Sequence, residues 1–203
     1  MASLSCNVVL LPNSELADKA IATSRGLAKE PVLFTLEIGK FFPHVSIYML
    51  QLRRADLLEA VERLKQLADR LQSFELAARK YNQEQGYFDI EYTKTEAIRL
   101  LQPKVIELLN PMRDGLMPDD AKRLHNISGL KLENIKLYGF SSVGELYRPH
   151  LTLTRFFGRM DISNLPLPNA NEFSGEFPAI GIFEMGPNGT CKRKISEFEL
   201  RYQ

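Results

Sequence analysis

One segment constrains this chain more than any other: Tyr147-Arg148-Pro149-His150-Leu151-Thr152-Leu153-Thr154-Arg155. Its pattern already occurs at Phe42-Pro43-His44-Val45-Ser46-Ile47-Tyr48-Met49. Both copies read Pro-His-apolar-hydroxyl-apolar. Strict alternation of apolar and polar residues marks a strand with one buried face. Val45, Ile47 and Met49 are therefore expected to point one way, with His44, Ser46 and Tyr48 pointing the other. In the second copy Leu151 and Leu153 are expected to be buried, and His150, Thr152 and Thr154 to line the open face.

The chain has three His and 19 Ser plus Thr in 203 residues. A hydroxyl two places after a given His is then about a one-in-ten coincidence, and a motif of this kind seen once is weak. Two such histidines with the same alternation outweigh the bland reading of two satisfied strand histidines. His150 follows His44 by 106 residues, close to half the chain. That spacing implies residues 1–203 forming one bilobal domain, with a crossover between lobes at about 111–130. The expected fold class is α+β: a duplicated fold with two mainly antiparallel sheets facing a central cleft and helices on the outside.

The remaining elements follow from local patterns. A first strand covers about 6–11, and Pro12-Asn13-Ser14 starts a helix that ends near 26–29. Strands are expected at 32–38 and 42–52, joined as a hairpin by Gly39-Lys40. Asp56 and Glu59 open a helix with apolar residues Leu57, Leu58, Val61, Leu64, Ala68 and Leu71. Strands at 74–80 and 87–92 precede a helix from Thr93 to about 109, which Pro103 should bend or divide. A short helix at 119–124, a short strand within 131–140, and strands near 175–184 and 193–202 complete the reading. Asn188-Gly189 marks the last hairpin.

Composition narrows the function classes. The chain is 44% hydrophobic and 25% charged, ordinary for a soluble globular protein, and its formal charge is +1. There is no basic excess to hold long DNA, so a nucleic-acid partner would be a small nucleotide or an RNA end. The apolar run Val8-Val9-Leu10-Leu11 is too short for a membrane span and lacks the basic flank of a signal peptide. Cys6 and Cys191 are far apart, which suits free thiols in the cytoplasm. The expectation is a cytoplasmic monomer that engages no membrane.

An imidazole accepts a proton and an imidazolium donates one, and a pKa of about 6.5 allows both near neutral pH. His44 and His150 together are sufficient for concerted acid and base work. Ser46 and Thr152 would offer hydroxyl donors to the non-bridging oxygens of a phosphate held between the lobes. Tyr48 and Thr154 are in phase with the histidines and are further candidates for substrate contact, as is Arg148 where it does not serve as a surface residue, with Phe41, Phe42 and Tyr147 at the rim. Arg148 and Arg155 flank the second motif out of phase, although Arg148 turns inward if the strand begins after Pro149. The third histidine, His125, has Ile127 two places on and reads as a helix-end or surface residue. No Cys, His or acidic cluster has metal-ligand spacing, so neither a metal nor a cofactor is expected.

His44-Val45-Ser46-Ile47 and His150-Leu151-Thr152-Leu153 resemble the paired signature of the two-histidine (2H) phosphoesterase superfamily. The RNA 2′,5′-ligase-like and cyclic phosphodiesterase branches are the nearest in pattern. The resemblance implies metal-independent cleavage of 2′,3′-cyclic or 1″,2″-cyclic nucleotide phosphates or of 2′,5′-phosphodiesters, with reversible 2′,5′ RNA ligation as an added capacity. It carries His44 and His150 over as acid and base and Ser46 and Thr152 as phosphate ligands. One assignment makes His150 the base and His44 the acid, though the sequence does not fix that order. The alternative is a module that binds a nucleotide or RNA end without turning it over.

Overall fold

The computed structural model describes residues 3–202. Strand β1 (Ser3–Leu11) leads into helix α1 (Ser14–Gly26), whose start is set by Asn13. The Asn13 side-chain oxygen accepts from the Leu16 amide at 2.9 Å, satisfying one of the unpaired donors of the first turn. β2 (Val32–Thr35), β3 (Val45–Arg53) and α2 (Leu57–Ala68) follow, then β4 (Phe74–Leu76), β5 (Ala78–Glu84) and β6 (Tyr87–Tyr92). Helices α3 (Glu96–Leu109), α4 (Pro118–Arg123) and α5 (Gly129–Tyr138) lead to β7 (His150–Phe156), β8 (Gly175–Phe177), β9 (Ala179–Met185) and β10 (Cys191–Glu199).

The strands run in the order β10-β9-β1-β3-β7-β6-β5, with β2 also against β7, and β4 and β8 form a separate pair. Every pairing between these strands is antiparallel. The large sheet is two half-sheets, β10-β9-β1-β3 and β7-β6-β5 with β2. Among the described residues they are joined through the single pair Val45 and Leu151. This is the expected α+β architecture, with the two sheets fused at one point.

Helix α1 packs on β7 and helix α3 packs on β3. Each helix thus crosses to the half-sheet its preceding strand does not belong to, which makes the two halves one cooperative core. Leu4, Cys6, Val8 and Leu10 of β1 enter that core. Val9 and Leu11, on the opposite face, join a small cluster with Ala179, Phe183 and Cys191. Both cysteines are free and buried. Among the described residues no helix is long and apolar enough to cross a membrane.

Several local expectations are corrected. The segments at 32–38 and 42–52 do not form a hairpin: β2 pairs with β7, placing Val32 opposite Phe156 and Thr35 opposite Thr154. In place of the short strand expected within 131–140, residues 129–138 form a helix. It ends at Gly139 with φ +69° and is tied to the next loop by Asn134 Nδ2, which donates to Ser141 O and Val143 O at 3.0 and 3.1 Å. Pro103 lies within an unbroken α3, on its solvent face, where the carbonyl it leaves unpaired can reach water. Asp56 does not cap α2; its carboxylate accepts from Arg53 Nε at 2.6 Å. The strand expected at 74–80 is split into β4 and β5.

The most consequential departure is a pair of matching β-bulges. Val8 is opposite Tyr48 and Val9 opposite Ser46, so Ile47 is an extra residue in β3. Phe88 is opposite Thr154 and Asp89 opposite Thr152, so Leu153 is an extra residue in β7. A bulge restarts the inside-outside alternation. Both fall at the third residue after the motif histidine.

Candidate active site

Because β3 and β7 are antiparallel and meet at Val45 and Leu151, the residues just before them, His44 and His150, arrive together at the junction of the half-sheets. Both line a cleft of about 330 Å³ together with Ser46, Thr152, Tyr147 and Arg148. Phe41 and Phe42, expected at the rim, also line it, as do Met49, Tyr87 and Phe140.

The two imidazoles are held alike. His44 Nδ1 is 2.7 Å from the Phe42 carbonyl, and His150 Nδ1 is 2.7 Å from the Arg148 carbonyl. A carbonyl only accepts, so Nδ1 carries a proton in both rings and Nε2 is left for the cleft. The prolines between, Pro43 and Pro149, fix φ and limit the ordering entropy of each turn. Burial lowers the His44 pKa to about 4; its bond to the Phe42 carbonyl opposes this, while the nearby His150 adds to it. The resting His44 is therefore the neutral imidazole.

Ser46 is nearly buried, and its Oγ accepts from Asn7 Nδ2 at 2.8 Å. Thr152 is half-buried at the equivalent position of β7. Tyr147 is buried, its hydroxyl donating to the Ser46 carbonyl at 2.8 Å, and burial pushes its phenol pKa up. Arg148 precedes β7 and reaches the cleft, and two of its guanidinium nitrogens donate to the Asp89 carboxylate at 2.7 and 3.1 Å. Glu91 lies 3.7 Å from the same guanidinium.

Tyr48 and Thr154 do not reach the cleft. The bulges turn both inward, and each is fully buried. The Tyr48 hydroxyl donates to Tyr138 O at 2.7 Å and lies 3.0 Å from Asn110 Oδ1, and the Thr154 hydroxyl donates to Phe34 O. Met49 takes the cleft position that alternation had given to Tyr48. His125 is exposed at the end of the α4 segment. Asn7 and Asp89 went unrecognised in the sequence; the only signal was a polar residue between apolar neighbours, Cys6-Asn7-Val8 and Phe88-Asp89-Ile90. Among the described residues, no group of three or more His, Cys, Asp or Glu side chains is placed to hold a metal ion.

No protein-family model and no curated protein matches the chain. Solved structures do. The Thermus thermophilus protein TT0787 superposes with a TM-score of 0.61 at 14% identity, over 98% of this chain and 100% of that one. Escherichia coli LigT in its apo form gives 0.59 at 10% identity, over 99% of both chains. LigT complexed with 3′-AMP gives 0.55 at 12% identity, over 98% and 99%. This is the fold of the 2H phosphoesterases. Within that 2H fold, the two half-sheets each deliver one His-apolar-hydroxyl strand to the shared cleft.

Proposed function

We propose that the protein is a two-histidine phosphodiesterase acting on 2′,3′-cyclic or 1″,2″-cyclic nucleotide phosphates or on 2′,5′-linked phosphodiesters. The observation that carries this reading is the matched pair of imidazoles, each with Nδ1 on the carbonyl two residues upstream and Nε2 left for the same cleft. The likeness to LigT supports it, since that protein has been seen complexed with phosphate and with 3′-AMP.

The phosphate sits between Ser46 and Thr152, whose hydroxyls donate to its non-bridging oxygens as charge builds on them. The neutral state of His44 reverses the order of roles taken from the sequence: His44 Nε2 takes a proton from water as its oxygen attacks phosphorus. His150 Nε2–H gives a proton to the ribose oxygen as the P–O bond breaks. The product is a ring-opened or released phosphomonoester, and the two imidazoles exchange protonation states before the next turnover. With a ribose hydroxyl in place of water as the nucleophile, the same base and acid would open a cyclic phosphate into a phosphodiester, the ring oxygen leaving with the proton from the acid. The Phe41, Phe42, Tyr87 and Phe140 walls suit a nucleobase or ribose beside the phosphate.

The test is turnover of a panel of 2′,3′-cyclic nucleotides and 2′,5′-linked dinucleotides with chelator present. His44→Ala and His150→Ala should each lose at least about a hundredfold in kcat. Nucleotide binding without turnover would replace this reading with that of a binding module.

A further inference from the structure

Asn7 lies on β1 beside the first motif strand, and its side chain is completely buried. Its Nδ2 donates to Ser46 Oγ at 2.8 Å, lies 3.5 Å from His44 Nε2 and is 3.8 Å from Cys191 Sγ. Its Oδ1 is the one buried side-chain polar atom among the described residues left without a hydrogen-bond partner. This buried amide leaves its acceptor unpaired while its nitrogen donates to the Ser46 hydroxyl and the Cys191 thiol and lies beside the His44 imidazole, so it presents only protons to the motif side chains.

We infer that Asn7 is a positioning residue for the cleft: it turns the Ser46 hydroxyl proton toward the bound phosphate and holds His44 in the form with a bare Nε2. The catalytic consequence rests on the phosphodiesterase reading. Ser46 Oγ accepts from the amide, so its own proton is directed to a different acceptor. The amide nitrogen 3.5 Å from His44 Nε2 carries only protons, so it is compatible with a lone pair there and opposes a proton. With Nδ1 bonded to the Phe42 carbonyl, the ring tautomer is fixed from both sides.

The duplication shows that this arrangement is one-sided. Asn7 is opposite Met49, five residues after His44, and Tyr87 is opposite Arg155, five residues after His150. At the position equivalent to Asn7 the second half therefore carries Tyr87. Its ring lies under the Arg155 guanidinium, 4.5 Å from centroid to carbon. The two histidines thus sit in different polar environments, which suits one base and one acid. The ionisable groups that share the cleft with His44 are His150, Arg148, Asp120, Tyr87 and Tyr147. Cys191 lies behind Asn7, its thiol kept neutral by burial.

The test is imidazole ¹⁵N NMR of the native protein, Asn7→Ala and the isosteric Asn7→Asp, with steady-state kinetics alongside. The native His44 should appear as the Nδ1–H tautomer. In Asn7→Ala its titration midpoint should rise by at least about half a unit, and in Asn7→Asp further, because a carboxylate favours the imidazolium. In Asn7→Ala kcat should fall about tenfold with KM within about threefold, as for a group that aligns others without touching substrate. A His44 tautomer and midpoint unchanged in both variants would overturn the inference. If Asn7→Ala does not fold, Asn7→Asp decides it. If the native protein turns over no phosphodiester, the enzymatic reading fails, while the His44 spectrum still decides the role of Asn7.

Discussion

Gln102 of α3 donates through Nε2 to the carbonyl of Ile47, the bulge residue of β3, at 3.0 Å. The relation is repeated in the other half, where the Ser24 hydroxyl of α1 donates to the carbonyl of Leu153, the bulge residue of β7, at 2.6 Å. An extra residue cannot pair in the ladder, so each bulge leaves a buried carbonyl to be satisfied from elsewhere. In each half, a buried polar side chain on the helix beneath the strand does so. Each also holds a segment that reaches the cleft: Gln102 Nε2 donates to Ser142 O at 2.9 Å, and Ser24 Oγ accepts from the Leu36 amide at 2.8 Å.

Gln102→Leu should therefore cost more than the loss of a single hydrogen bond would suggest. It strips partners from Ile47 O, Ser142 O and the Gly144 amide. Unsatisfied buried groups cost about 1–3 kcal/mol each, so a loss of about 3 kcal/mol in urea unfolding is expected. Ser24→Ala should lose about 1–3 kcal/mol for the same reason. Unchanged midpoints for both would mean that the bulge carbonyls do not depend on these helices.

Asp89 and Arg148 should couple strongly in a double-mutant cycle. The carboxylate is almost wholly buried and bonded end-on by the guanidinium, which is about one-third exposed. Arg148→Met leaves a buried charge unpaired and should cost about 3 kcal/mol, the lower end for such a loss because water reaches the guanidinium. Adding Asp89→Asn should restore part of that loss. Additive effects would show that the pair is not an energetic unit.

His44 predicts a specific pH window. Its pKa falls from 6.5 to about 4 on folding, chiefly through burial. Between those values the unfolded chain binds more protons than the folded one, so stability rises with pH across this window and is lost as pH falls from 6.5 toward 4. The half-open position of the ring limits the contribution to about 1–3 kcal/mol. Unfolding of the native protein and of His44→Gln at pH 4 to 7 should show this slope only in the former. Parallel curves would place His44 in a more solvated environment.

Much of the fold could be read from local chemistry. Asn13 at the start of α1 and Asn188-Gly189 between β9 and β10 announced their turns because a cap and a left-handed turn each need particular side chains at particular positions. The helix at 129–138 was illegible for the converse reason: it has no one-sided apolar stripe, and Leu130 and Leu137 are substantially exposed. Their helix is held by Asn134 and the Gly139 cap, which apolar periodicity does not report.

The amino-acid sequence by itself determined that two Pro-His-apolar-hydroxyl strands exist, one in each half of the chain, since composition and alternation are local properties. Only the tertiary structure decided which side chains stand beside them. The bulges at Ile47 and Leu153 depend on how many residues the neighbouring strands β1 and β6 offer opposite them, and the choice between Tyr48 and Met49 in the cleft follows from that count. Asn7 and Asp89 reach the site because their strands happen to lie next to β3 and β7. Strand order and register come from packing across the whole sheet, and no single segment encodes them.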